Sequence, residues 1–230
     1  MATKRKTHEQ LTLDSAIKHT GRGGPRPGSG RPRGRKTASH DTRPEFAPRY
    51  PQHVTLRAVE GAPSLAREHL MKTIRRAIQD SHKLAFRIVE FNVLANHLHL
   101  IVEAGGAVAL ARGVQGLVVR LARRLNKVLG RSGKLFKERY HARTLTSPRD
   151  VRNTLRYVLC NRKHHAAEKR FDKYWVDPCS SGSWFTGWAG PIRSRHVVEE
   201  AKPTADATVW LLTTGWKKHH GPLAFDERPS

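Results

Sequence analysis

Two histidines separated by one residue are the first candidates for chemistry. In Asn96-His97-Leu98-His99-Leu100-Ile101-Val102-Glu103 the histidines alternate with apolar residues. Such alternation marks a β-strand, whose successive side chains point to opposite faces. Leu98, Leu100 and Val102 then face a core. His97 and His99 point together to the other side, with Ile101 and Glu103. Two imidazoles presented by a rigid strand can share one divalent cation. The plain alternative is polar surface on an exposed sheet face, because a chain with 14 histidines yields such a pair easily by chance. Glu103 could lend the site a carboxylate, although a strand-end position suits a solvated residue.

The second candidate lies some sixty residues downstream. Tyr157 and Asn161 are four residues apart, so on a helix they share a face. That face lies away from the apolar stripe of Val151, Leu155 and Leu159, which leaves the Tyr157 hydroxyl free to point outward at the core's edge. A phenol is a poor nucleophile at neutral pH. A bound divalent cation changes this by polarising a phosphate and offsetting the negative charge that develops during attack. Asn161 offers a neutral oxygen that could complete a His-His-Asn ligand set. In the bland reading Tyr157 is a packing residue and Asn161 a helix C-cap.

The elements that must position these groups are legible in part. His53–Val59 reads as a strand, and 65–84 as an amphipathic helix carrying Leu70, Ile74, Ala77 and Ile78 at helical spacing. Phe86–Leu94 and His97–Glu103 read as strands joined by a tight turn at Asn96. Val114, Leu117, Val118, Leu121 and Leu125 form a helical stripe that Gly130 ends. Lys134–Leu145 reads as a loop and a short strand. Ser147, Pro148 and Asp150 then form a helix start, and that helix runs to about Asn161. This order predicts an α+β fold, an antiparallel sheet with helices on one face.

Composition narrows the partners. The chain of 230 residues carries 43 Lys and Arg against 19 acidic residues, a formal net charge of +24. Such an excess usually persists because the partner is a polyanion. No apolar run approaches the ~18 residues of a membrane span, and Met1–Lys18 has no apolar core of signal-peptide type. The two cysteines, Cys160 and Cys179, indicate neither a disulfide framework nor a cysteine metal site. A soluble, cytoplasmic, nucleoid-associated protein without a membrane partner is expected.

The same residues resemble a known family. HLH within VLANHLHLIVE is similar to the His-hydrophobic-His motif of HUH nucleases. FKERYHARTLTSPRDVRNTLRYVLCNRKHH is similar to the tyrosine helix of REP-associated tyrosine transposases, relatives of small insertion-sequence transposases, and WLLTTGW resembles the tail of some members. The resemblance spans roughly Tyr50–His165. It implies a ferredoxin-like α+β fold acting on single-stranded, hairpin-forming DNA with Mg2+ or Mn2+. It implies that a tyrosine attacks a DNA phosphate, leaving a 5′-phosphotyrosine link and a free 3′-hydroxyl, and that the reverse step rejoins strands. By position His97, His99 and Asn161 match the metal ligands and Tyr157 the nucleophile, with Tyr140 a lesser competitor. The resemblance leaves monomer and homodimer open.

Three regions complete the expectation: a disordered basic arm over 1–48, a catalytic domain over 49–170 and a tryptophan-containing extension over 171–230. In the arm, Gly21–Lys36 is almost entirely Gly, Pro, Arg and Lys. Its Arg31, Arg33 and Arg35 resemble an AT-hook, which lies in the narrow minor groove of A·T-rich DNA; a non-specific electrostatic arm is the alternative. Arg120, Arg123, Arg124 and Lys127 are candidate contacts to a DNA hairpin backbone, or simply a solvated helix face. Arg139, Arg143, Arg152, Arg156, Arg162 and Lys163 surround the tyrosine in sequence and would balance phosphate charge. His164 and His165, being adjacent, make a poor chelating pair. Two rival functions stand beside the transposase reading. One is a non-catalytic DNA- or RNA-binding protein on the same fold, and the other is a metal nuclease in which water attacks in place of Tyr157.

Overall fold

The strands and helices follow from two different uses of apolar residues. A computed structural model of the chain describes residues 44–137, 139–165, 174–193 and 198–228. Strand β1 (Gln52–Arg57) is followed by helix α1 (Glu68–Gln79), strands β2 (Phe86–Val93) and β3 (His97–Ala104), helix α2 (Ala107–Val128), strand β4 (His141–Thr144) and helix α3 (Pro148–His165). The strands form one antiparallel sheet in the order β2-β3-β1-β4. This is the expected α+β arrangement, with the ferredoxin-like strand and helix order. The predicted 65–84 helix is shorter at both ends, and α3 continues past Asn161 to His165.

One sheet face carries Val54, Leu56, Phe91, Leu98, Leu100 and Val102, all buried. Leu70, Ile74 and Ile78 of α1 and Val114, Leu117, Leu121 and Leu125 of α2 pack on it. The stripe periodicities therefore place α1 and α2 on one face, as expected. Gly113 lets α2 approach β2 closely, since a Cβ there would come within 2.1 Å of the Phe86 ring. Gly130 follows the end of α2 at φ +59°, the left-handed conformation that suits a glycine beyond a helix C-terminus.

The opposite face differs from the sequence expectation of helices on one side. It carries a second apolar cluster in which Val89 and Ile101 meet Val151, Leu155, Val158 and Leu159 of α3. The physical reason is the composition of β2 and β3, which bring apolar residues to both faces, so both must be covered. Trp188, Leu211, Leu212, Trp216, Leu223 and Phe225 join the same cluster. Trp216 and Leu223 are fully buried. Of the C-terminal tryptophans, Trp188 and Trp216 are therefore core, Trp175 and Trp184 are half-buried, and Trp210 is exposed at 53 %.

Glu103 holds this segment down. Its carboxylate is 3 % exposed. It accepts from the backbone N–H groups of Thr208 (2.8 Å) and Val209 (2.9 Å) and from the Thr208 hydroxyl (2.9 Å). It also pairs with Arg87 at 2.6 Å. The residue read as a solvated strand end or a possible metal ligand is instead a buried anchor that caps the helical turn beginning after Val209. Arg152 ties down the other end, donating to both carboxylate oxygens of Glu227 (3.0 and 2.7 Å) and to the carbonyls of Gly221 and Pro222. Its guanidinium therefore serves the C-terminal segment, not phosphate charge.

Candidate active site

The antiparallel register assembles the site. β3 pairs with β1 so that Thr55 lies opposite His99, and with β2 so that Asn92 lies opposite His99. Residues directly opposite share a face, so His53, Thr55, Asn92, His97 and His99 converge on the side covered by α3. His99 is only 3 % exposed. His99 does not lie on an open sheet surface, because a helix and a second core bury it, whereas His97 at the strand's start is half-buried.

His99 is oriented by β1. Its Nδ1 lies 3.2 Å from the Thr55 hydroxyl oxygen and 3.1 Å from Nε2 of His53. Burial, with the charges of Arg143 and His141 adding to it, pushes the His53 imidazole down to about 4. At neutral pH His53 is therefore an uncharged acceptor. A proton on Nδ1 of His99 can be donated to either oxygen or nitrogen, which leaves the Nε2 lone pair to act as a ligand. That Nε2 lies 3.4 Å from the Tyr157 hydroxyl. The His99 ring is 5.0 Å from the Tyr157 ring and 4.7 Å from that of His97, centroid to centroid. Nδ1 of His97 lies 2.6 Å from the side-chain oxygen of Asn96.

α3 delivers the tyrosine because its ends and middle are pinned. Ser147 accepts from the Asp150 backbone N–H at 3.2 Å, which is the predicted N-cap. Arg143 of β4 donates to Asp150 and to the Thr154 hydroxyl, at 2.5 and 2.9 Å. Asn92 reaches across from β2 to the Val158 carbonyl at 2.8 Å. The hydroxyl of Tyr157 consequently points inward to the histidines, not outward from the core's edge. The reason is that the face of α3 carrying Tyr157 and Asn161 is itself laid on the polar half of the sheet.

Asn161 is fully buried, and neither its amide nitrogen nor its oxygen has a hydrogen-bond partner. It lies inside α3, so the C-cap reading fails. An unpaired buried amide costs about 1–3 kcal/mol, and native interiors rarely tolerate one without a use. Two imidazoles and an orphaned amide oxygen, one helical turn from the tyrosine, suit a divalent cation held by nitrogen and oxygen donors. Among the described residues no group of three or more His, Cys, Asp or Glu is placed to hold a metal ion.

Residues 53–161 match the family model described as Transposase IS200 like. This region belongs to the IS200-like transposase family. A comparison with curated proteins finds no match. Among solved structures the chain is similar to a REP-associated tyrosine transposase bound to a REP hairpin, with a TM-score of 0.52 and 16 % identity. The likeness covers 71 % of this chain and 98 % of that one, and it establishes a shared fold. Membership of a transposase family makes DNA breakage the reaction class.

The transposase fold separates other residues singled out in the sequence. Tyr140 packs against the core beneath α1 and α2, on the face away from His99, so it does not compete with Tyr157. Arg120, Arg123, Arg124 and Lys127 lie on α2, across the sheet from the tyrosine, and Arg124 is drawn to Asp80 at 2.6 Å. Arg143 and Arg156 are on the tyrosine's side, with Arg156 adjacent to it on α3, and Arg139 precedes β4. Arg162 meets buried Asp177 at 3.2 Å. Arg31, Arg33 and Arg35 lie outside the described residues, as do the side chains of Lys163, His164 and His165.

Sequence reasoning missed His53, Thr55 and Asn92. Their types are ordinary strand residues, and only the pairing of β1 and β2 against β3 makes them neighbours of His99. No helix among the described residues is long and apolar enough to cross a membrane.

Proposed function

We propose that this protein cleaves and rejoins single-stranded, hairpin-forming DNA with Tyr157 as nucleophile, as a transposase of the REP-associated branch. The observation that carries the reading is the Tyr157 hydroxyl at 3.4 Å from Nε2 of His99, inside a domain of a transposase family. His97, His99 and Asn161 would hold a divalent metal, Mg2+ or Mn2+. When bound, it polarises the scissile phosphate and offsets charge on the attacking and leaving oxygens. Tyr157 forms the bond to phosphorus and the bond to the 3′-oxygen breaks. The phenol proton ends on that oxygen, which yields a 5′-phosphotyrosine and a free 3′-hydroxyl. His53 and Thr55 keep His99 in the ligand tautomer, and α3 keeps the phenol oxygen oriented. The reverse attack by a 3′-hydroxyl restores the strand. Tyr157 meets histidines of its own chain, which supports a site completed within a monomer.

The hairpin preference rests on the fold's likeness to a protein bound to such DNA, and DNA binding in general on the net charge of +24. Arg31, Arg33 and Arg35 would extend the contact into A·T-rich minor groove, with Arg139, Arg143 and Arg156 near the scissile phosphate. The test uses hairpin oligonucleotides with single-stranded flanks, taken from palindromes beside the gene, with Mn2+. Wild type should give a protein–DNA adduct on a denaturing gel. Tyr157→Phe should bind within about threefold of wild type and give none. Cleavage without any adduct would favour hydrolysis by water, and binding without cleavage by either protein would favour a non-catalytic nucleic-acid-binding protein.

A further inference from the structure

A row of three cavities, read together as a groove, leads from His97 to the outer faces of α1 and α2. Its first part is a cavity of about 380 Å³ lined by Ser64, Ala66, Leu94, Ala95, Asn96, His97 and Arg162. A second, of about 520 Å³, shares Ala66 and Arg162 with the first and continues past Met71, Lys72, Arg75, Pro178 and Cys179. A third, of about 500 Å³, shares Lys72, Arg75 and Glu200 with the second and reaches Arg76, Arg124 and Lys127 on the outer faces of α1 and α2. Each cavity thus shares lining residues with the next. One end is the candidate ligand His97, and the other is the basic face of α2, which the fold places across the sheet from Tyr157.

The walls have the chemistry of a single-strand track. Six cations line them (Lys72, Arg75, Arg76, Arg124, Lys127 and Arg162) against two carboxylates, Glu68 and Glu200. Apolar surface from Ala66, Leu94 and Pro178 lies between the charges. Three of the cations already hold acids: Arg162 with Asp177 at 3.2 Å, Arg75 with Glu200 at 3.0 Å and Arg124 with Asp80 at 2.6 Å. Arg76 touches Asp80 at 3.5 Å but its side chain is mostly exposed, and Lys72 and Lys127 are exposed as well. The paired arginines shape the walls, and the exposed cations are available to phosphates. Cations along a groove with apolar surface for bases are what a flexible single strand requires.

We infer that this groove binds the single-stranded flank of the DNA, carrying it from the histidine site round to the α1–α2 face. The inference rests on the DNA-processing reading and assigns the substrate's path beyond the reacting phosphate. It also gives the α2 cations a role that their distance from Tyr157 otherwise denies them.

The test is binding of fluorescein-labelled dT30 to the full-length protein in EDTA, read by anisotropy across a salt series. No cleavage occurs under these conditions, so failure of the tyrosine chemistry leaves the result readable. The triple variant Lys72→Ala/Arg76→Ala/Lys127→Ala should weaken binding by about tenfold or more and reduce the salt slope by about 2, since each single-strand phosphate contact contributes about 0.7. Ala66→Trp fills the wall shared by the first two cavities without changing charge, and it should weaken binding by about fivefold. A control triple of equal charge away from the groove, Arg112→Ala/Lys134→Ala/Lys137→Ala, should stay within about threefold of wild type. If the two triples lose affinity equally, binding is general electrostatic attraction and the proposal is wrong. It is equally wrong if the groove triple binds as wild type does. Should Ala66→Trp fail to fold, the comparison of the two triples decides the matter.

Discussion

Glu90 carries a pH dependence that the fold cannot avoid. It lies on β2, facing α3, with its carboxyl 2.5 Å from the Ser181 hydroxyl. Burial pushes its pKa from the ordinary 4.5 up to about 8, against smaller opposing effects of Ser181 and Lys202. The surrounding hydrogen bonds suit the neutral acid. The Ser181 oxygen already accepts from the Phe91 backbone N–H at 2.9 Å, and its proton can go to the Phe91 carbonyl at 3.2 Å. A protonated Glu90 then donates to the serine oxygen, and every hydrogen has an acceptor. An ionised Glu90 instead competes with the Phe91 carbonyl for that one proton. Because the folded pKa lies above the unfolded one, folding takes up a proton between them. The contribution of Glu90 to stability is greatest below pH 4.5, falls as pH rises through the window, and levels off above about 8. Each pH unit well inside the window is worth about 1.4 kcal/mol and the slope halves at the folded pKa, so wild type should lose roughly 2 kcal/mol between pH 6 and pH 8 from this group. Glu90→Gln keeps the shape and a donor to Ser181 and removes the titration. Urea unfolding of both proteins at pH 5, 6, 7 and 8 gives the difference, in which other titrating groups cancel. The variant should gain on wild type steadily with pH and be the more stable at pH 8. Parallel pH profiles would refute the reasoning, because they would mean that Glu90 is already ionised in the native state.

Other expectations follow from single contacts. Gly113→Ala should destabilise by about 2 kcal/mol by chemical denaturation, since overpacking against the buried Phe86 ring exceeds the helix propensity gained; an unchanged midpoint would mean that α2 can shift. Asn161→Leu removes two unsatisfied buried polar atoms, so the EDTA-treated protein should melt no lower than wild type. The same variant should lose the rise in Tm that Mn2+ gives wild type, and a retained rise would remove Asn161 from the ligand set. His53→Phe deletes an acceptor for Nδ1 of His99 and should weaken Mn2+ binding by about tenfold in a calorimetric titration. Glu103→Ala leaves Arg87 and two backbone N–H groups without their buried carboxylate. It should cost about 3 kcal/mol and open the C-terminal segment to limited proteolysis.

Much of the architecture could be read along the chain because the signals are local. Strand alternation at His97–Glu103, the stripes of α1 and α2, and the Ser147–Pro148–Asp150 start of α3 each depend on neighbours within a turn or two. The same locality exposed Tyr157 and Asn161 as residues of one helical face and His97 and His99 as residues of one strand face. What local patterns could not supply is which faces meet. Glu103 looked solvated because, apart from Arg87 opposite it on β2, the partners that bury it, Thr208 and Val209, lie more than a hundred residues away. His53 and Thr55 support His99 solely through strand pairing, and Tyr157 turns inward because a second apolar cluster draws α3 onto the far face of the sheet. Periodicity records which side of an element avoids water, and burial of both sheet faces against distant segments is a property of the packed whole.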